Sequence, residues 1–145
     1  MSELTLLFLP LSLLPPAIDD LLDYYVDDIT WVPCIPFIIY ALITGLDKIF
    51  GPLFLFLTLV VPLYLISRRE GEMFGEGDLI LYFIYVFYSV LMGGVIHYIF
   101  LILFTNIYGF IFYVIRMAWG IRENVIPLIF LSPFSVFTTM FILVT

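Results

Sequence analysis

Carboxylates in two short stretches are the side chains of this sequence best suited to chemistry. The first stretch, Gly75-Glu76-Gly77-Asp78, runs directly into an apolar segment that begins at Leu79. Two glycines around one residue allow positive φ angles and a sharp turn, so the loop can deliver Asp78 to the start of a helix. A carboxylate at the entrance of an apolar segment is unfavourable and needs a reason. This loop alone leaves two hypotheses open: Asp78 is a helix-capping residue, or it is a catalytic residue.

The second stretch follows the first apolar segment and carries five aspartates between positions 19 and 28. Asp20, Asp23 and Asp27 are spaced i, i+3 and i+7, which predicts that they share one helical face. A solvated face is the common explanation of such an acidic run, and we expect it for most of these residues. The exception is the acid nearest the bilayer that can meet Asp78, with Asp19 as the nearest rival to Asp20.

Two aspartates in one dry site have a defined chemistry. Their repulsion and desolvation raise one pKa, so the pair holds a single proton near neutral pH. One carboxylate then takes a proton from the water that attacks a peptide carbonyl, while the other protonates the carbonyl oxygen. This aspartic-protease chemistry needs no cofactor and no metal. The single cysteine, Cys34, and the single histidine, His97, are too few for a zinc site.

The composition predicts that these carboxylates belong to a polytopic membrane protein with an all-α fold. The 145 residues are 64% hydrophobic, and a soluble domain of this size lacks the interior volume to bury that much apolar surface. Residues 1–145 are expected to form a single membrane-embedded domain, with a tight hairpin at Gly93-Gly94 and a retained first span. Apolar runs between charged or glycine-rich breaks predict six transmembrane helices, at about Leu4–Asp20, Val32–Ile43, Phe50–Ile66, Leu79–Met92, Val95–Ile115 and Val125–Val144.

The distribution of charge predicts the orientation and the partners. With six spans, the loops Asp19–Trp31, Ser67–Asp78 and Arg116–Asn124 lie on the same side of the membrane. By the positive-inside rule this side is cytoplasmic and both termini are outside, because it holds the basic residues Arg68, Arg69, Arg116 and Arg122. Most of the 12 acids lie there too. The formal net charge of −7 argues against a nucleic-acid partner, and a negative cytoplasmic mouth favours a basic segment of another protein.

The GxGD sequence at Gly75–Asp78, placed directly before a span, resembles the membrane aspartyl proteases of the type IV prepilin peptidase family. The closer likeness is to the archaeal members that process preflagellins and other class III signal peptides. In that family a first aspartate follows the first span, and a valine-proline-aspartate stretch with a tryptophan beyond it comes several positions later. Val26, Asp28 and Trp31 fit that stretch, and counting back from them places the first catalytic aspartate at Asp20. Two predicted spans then separate it from the second aspartate, as the family arrangement requires.

The resemblance implies an aspartic endopeptidase of the cytoplasmic membrane, with Asp20 and Asp78 as the catalytic pair and Gly75 and Gly77 supporting the motif. The implied substrates are pilin-like or archaellin precursors, cut at the cytoplasmic face between a short basic leader and a hydrophobic segment. No cofactor is implied, and the oligomeric state is left open. Three further acids are candidate substrate contacts, namely Asp23, Asp27 and Glu76.

Some positions depart from the family pattern. Asp27 stands where the family has proline, Leu21 to Tyr25 replaces basic residues, and Glu76 adds a carboxylate to the glycine loop. These extra acids are expected to raise the pKa values of the pair. The four-cysteine insertion of bacterial relatives is absent, so their methyltransferase activity is not expected. The departures keep a second class open: a non-catalytic polytopic membrane protein, either a degenerate relative or a scaffold with acidic cytoplasmic loops.

Overall fold

The computed structural model describes residues 3–23, 26–70, 75–119 and 128–144, and within these ranges it is all-helical with no β-strand. This confirms the all-α prediction for the described part of the chain. The first half contains the helices α1 (Glu3–Ser12), α2 (Leu14–Asp23), a 3-10 helix (Asp28–Cys34), α3 (Ile35–Thr44) and α4 (Leu46–Leu55). The second half contains a π-helical turn (Phe56–Val60), α5 (Val61–Glu70), α6 (Glu76–Met92), α7 (Val95–Ala118) and α8 (Leu128–Val144).

Prolines divide the first apolar segment into two helices. Pro15 and Pro16 lie in the first turn of α2, where a missing backbone N–H removes no intrahelical hydrogen bond. They therefore lie where proline is tolerated, at the start of α2. Since α2 ends at Asp23, the prediction that Asp20, Asp23 and Asp27 share a helical face is wrong. The Asp27 carbonyl instead accepts a hydrogen bond of 3.0 Å from the backbone N–H of Thr30, inside the turn that begins the 3-10 helix.

Two helices in the described residues are long enough and apolar enough to cross a membrane. They are Leu46–Arg68, which combines α4, the π-helical turn and most of α5, and Val95–Ala118, which is α7. The apolar helices Asp28–Thr44 and Leu128–Ile142 are shorter. Length and composition therefore support membrane spans at two of the six predicted positions, and they carry no information about orientation.

Helix α6 is the most enclosed element of the described fold. Every residue from Ile84 to Val90 is buried, and the helix packs against α3, α4, α7 and α8. At its end the chain reverses through Gly93 and Gly94, whose φ angles of 151° and 112° are in a region that favours glycine. The predicted hairpin is confirmed. Because α7 runs back antiparallel to α6, its last residues, including Arg116, lie at the end of the bundle where α6 begins.

A close contact fixes the approach of α3 and α4 to α6. Gly45 separates α3 from α4, and a Cβ atom at this position would collide with Cγ1 of the buried Val90 on α6. Glycine is therefore required by the packing of the helices and not by its own φ angle of −142°.

We expect Gly45→Ala to lower the free energy of unfolding by about 1–3 kcal/mol, the usual range for overpacking a tight contact. Denaturation of the detergent-solubilised protein measures this effect. Gly75→Ala is the control, because a Cβ there meets only an oxygen of Asp78 at 3.8 Å. In a double-mutant cycle, Val90→Ala should cancel part of the loss. Equal stability of the two alanine variants would contradict the packing interpretation.

Candidate active site

Asp78 is the third residue of α6 and bonds back to the start of its own helix. Gly75 is the N-cap residue, with an extended backbone (φ −80°, ψ 169°), and its N–H donates a hydrogen bond of 3.0 Å to Asp78 Oδ2. This is the reciprocal half of a capping box, in which a side chain at the third position satisfies the N–H of the cap residue. Asp78 therefore stabilises the helix start, although it is not itself the N-cap residue. Its side chain is partly buried.

Asp20 lies in the last turn of α2 and is buried, with 8% of its surface exposed. Its Oδ2 atom accepts a hydrogen bond of 3.0 Å from the backbone N–H of Phe130. Phe130 is the third residue of α8, so this N–H is one of those that have no intrahelical partner. The carboxylate also lies at the positive end of the α8 dipole, which favours its ionised form.

The Asp20 carboxylate and the loop that carries Asp78 both meet the first turn of α8. A Cβ atom on Gly77 would lie 2.8 Å from Cδ1 of Ile129, the residue before Phe130. Glycine at this position therefore lets the loop that carries Asp78 approach the helix that binds Asp20. A Cβ on Gly77 would also lie 3.9 Å from Cγ2 of Val26, so the two acidic stretches come together around this glycine.

Burial raises the pKa values of both carboxyls, and the charge of Asp20 adds to the rise at Asp78. Both residues lie outside Leu46–Arg68 and Val95–Ala118, the two helices suited to crossing a membrane. Burial raises the pKa of Asp78 to about 7, the Gly75 N–H opposes the rise, and the charge of Asp20 adds to it. Burial also raises the pKa of Asp20, against the hydrogen bonds from the backbone of Phe130 and Ile129.

The neighbouring acids have other surroundings. Asp19 Oδ2 accepts a hydrogen bond of 3.2 Å from the backbone N–H of Asp27, which ties the loop after α2 to the helix. This contact separates Asp19 from Asp20, a distinction that only the family register provided in the sequence. Asp27 and Glu76 are exposed, so the raised pKa of Asp78 comes from burial and from Asp20. Asp23 ends α2, and its side chain is outside the described residues.

Two groups that lie near the aspartate pair were not predicted from the sequence. The amide of Phe130 gives no sequence signal, because nearly every residue carries one. Tyr82 follows Asp78 by four positions and so lies on the same face of α6, a relation that helical spacing could have revealed. Its hydroxyl accepts a hydrogen bond of 3.1 Å from Nδ2 of Asn106 on α7.

No protein-family model matches the chain, and no curated protein or solved structure gives a significant match. Function is therefore inferred from the residues and from their geometry.

The raised pKa of Asp78 should make stability depend on pH. An ordinary aspartate has a pKa of about 3.9, so between roughly pH 4 and pH 7 the folded protein binds more protons than the unfolded chain. The free energy of unfolding should consequently fall as the pH rises through this window. Asp78→Asn should reduce that fall, whereas Asp47→Asn, at an exposed position in α4, should leave it unchanged. Unfolding in detergent between about pH 4 and pH 7 measures the free energy of unfolding for each variant. If it changes with pH equally in the wild type and in Asp78→Asn, the raised pKa of Asp78 is contradicted.

Proposed function

We propose that this chain is an aspartic endopeptidase of the cytoplasmic membrane, similar to the archaeal prepilin and preflagellin peptidases, with Asp20 and Asp78 as its catalytic pair. The observation that carries the proposal is that the buried carboxyl of Asp20 and the loop that holds the partly buried Asp78, from positions far apart in the chain, meet at the first turn of α8. The charge of Asp20 acts on Asp78, and the pKa of Asp78 is about 7. A pair that shares one proton near neutral pH is what peptide hydrolysis by two aspartates requires.

The surroundings favour different roles for the two carboxyls. Asp20 is the better candidate for the ionised partner, because the Phe130 N–H and the α8 dipole stabilise its negative charge. Asp78, with a pKa near 7, holds the proton. In the proposed reaction Asp20 removes a proton from water, the oxygen of that water attacks the peptide carbonyl, and Asp78 protonates the carbonyl oxygen. Asp20 then gives its proton to the leaving nitrogen while Asp78 takes one back from a hydroxyl of the tetrahedral intermediate, so that the C–N bond breaks and both carboxyls return to their starting states.

The proposed membrane arrangement has six spans, both termini outside and the site at the cytoplasmic face. Arg68 and Arg116 each lie at the end of one of the two long apolar helices. The antiparallel course of α6 and α7 brings Arg116 to the same end of the bundle as Asp78, so a basic residue and the site share that end. The positive-inside rule favours the cytoplasm for that end. Large exposed apolar side chains on α4, such as Phe50 and Phe54, would then face lipid.

The proposed substrates are pilin-like or archaellin precursors, which carry a basic leader before a hydrophobic segment. Asp27, Asp28 and Glu76 are exposed in the two stretches that carry the pair, and their charges would attract a basic leader. The peptide bond between the leader and the hydrophobic segment would lie at the membrane surface, at the level of both aspartates.

Asp20→Asn and Asp78→Asn should each reduce cleavage of such a precursor by roughly 10²-fold or more, because each removes a group that moves a proton. The measurement is the mobility shift of the precursor after co-expression or after incubation with the reconstituted protein. Asp19→Asn and Asp27→Asn are matched controls and should retain most of the activity. Amide oxygen at position 19 can still accept the hydrogen bond from the Asp27 N–H.

The outcomes distinguish the proposal from its rival. Normal cleavage by Asp20→Asn or Asp78→Asn would show that the assigned pair is wrong. If the wild-type protein leaves every precursor of this class uncut while folding in membranes, the non-catalytic scaffold becomes the better description.

A further inference from the structure

An apolar groove of about 340 Å³ runs between α7 and α8. Its walls are mostly aromatic or branched side chains, and Phe134 and Phe137 are more than half exposed within it. One polar pair interrupts the lining, where the hydroxyls of Tyr108 and Thr138 lie 2.6 Å apart. The groove is therefore an open and mostly apolar surface on the outside of the bundle.

The groove begins at the candidate active site. Phe130 contributes its ring to the groove wall, while its backbone N–H binds Asp20. The rings continue from there, with centroids 6.3 Å apart for Phe112 and Phe130 and 6.2 Å apart for Phe130 and Phe134. From Phe130 to Phe137 the wall extends about 10 Å along α8 at 1.5 Å per residue. The groove thus leads away from Asp20 along the helix axis.

We propose that this groove binds the hydrophobic helix of the precursor and holds it with its first residues at the aspartate pair. The inference rests on the proposed endopeptidase function and assigns the surface that receives the substrate. A segment seated there would leave the groove beside Asp20, at the point where the apolar wall gives way to the acidic entrance. The peptide bond to be cut joins the basic leader to the apolar helix of the precursor. It would then lie between the exposed carboxylates, which match the leader, and the apolar groove, which matches the helix.

Charge complementarity distinguishes this occupant from a lipid. An acyl chain would fit the apolar wall, but the phosphate of its headgroup would be repelled by the exposed carboxylates Asp27 and Glu76, whose chain neighbours Val26 and Gly77 come together beside Ile129 at the start of α8. A basic leader meets the same carboxylates favourably. Lipid tails are as apolar as the groove, so binding of a helix must depend on close packing rather than on hydrophobicity. The row of aromatic rings along α8 supplies a shape for such packing.

Site-specific photocrosslinking tests the assignment. A photoreactive phenylalanine analogue replaces Phe134 in the groove, or Phe110 as a matched control. Phe110 is 67% exposed on α7 and is separated from the groove residues Ile111 and Phe112 by helical rotation. The protein also carries Asp78→Asn, so that the precursor stays intact. We expect irradiation in membranes to join position 134 to the hydrophobic segment of the precursor at least several-fold more efficiently than position 110.

Three outcomes would overturn the groove assignment: equal crosslinking from both positions, crosslinking of position 134 to lipid alone, and crosslinking of position 134 to a second copy of the chain. Cleavage of the precursor is measured in parallel with the same protein carrying the native Asp78. Cleavage without a crosslink at position 134 would reject the groove but not the endopeptidase, whereas absence of cleavage would reject the endopeptidase itself.

Filling the groove gives a second measurement. Ile111→Trp places a larger ring among the lining residues, and Phe110→Trp makes a similar change outside the groove. We expect Ile111→Trp to raise KM several-fold with little change in kcat, and Phe110→Trp to change neither. An unchanged KM for a folded Ile111→Trp variant would overturn the assignment.

Discussion

The hydrogen bond from the Phe130 N–H to Asp20 is the interaction on which the arrangement of the site depends. It joins the end of the second helix to the start of the last one, across almost the whole length of the sequence. This hydrogen bond pairs two polar groups that would otherwise lack a partner. A buried carboxylate requires a donor, and the first turn of a helix has N–H groups without intrahelical partners. This one hydrogen bond therefore ties α2 to α8. The loop that carries Asp78 then packs against α8 at Ile129.

The helix that carries Asp78 is fixed by the interior of the bundle. Tyr85 on α6 shares a hydrogen bond of 2.8 Å with Thr105 on α7, and Tyr88 is hydrogen-bonded to Ser12 at the end of α1. These hydroxyls are buried and paired across helices, so they define how the helices are rotated as well as how far apart they lie. Packing of α6 in the interior of the bundle thus fixes the backbone position of Asp78, and the hydrogen bond from the Gly75 N–H orients its carboxylate. Such double support is what holds a catalytic group in place.

The sequence predicts those features that depend on local chemistry. Gly93-Gly94 marks the reversal between α6 and α7, and the glycine loop marks the start of α6 close to Asp78. Helical periodicity fails for Asp27, because a turn closed by the Thr30 N–H ends the pattern that the aspartate spacing suggested. The separation of Asp19 from Asp20 depends on which neighbour each carboxylate meets in space. Helical spacing places both near the end of α2, and only the contacts with Asp27 and Phe130 distinguish them. Six membrane spans are predicted from short apolar runs, and length and composition support two of them.

The central claim is that Asp20 and Asp78 form one coupled site, and an infrared titration tests it directly. The carboxyl band that Asp78→Asn removes identifies Asp78, and its intensity is followed with pH in the wild type and in Asp20→Asn. In the wild type the pKa of Asp78 is expected near 7, because burial and the charge of Asp20 both raise it. Removing the Asp20 charge should lower that pKa, although burial keeps it above the ordinary value of about 3.9. An Asp78 pKa that is the same in both proteins would show that the two carboxyls do not interact and would contradict the paired site.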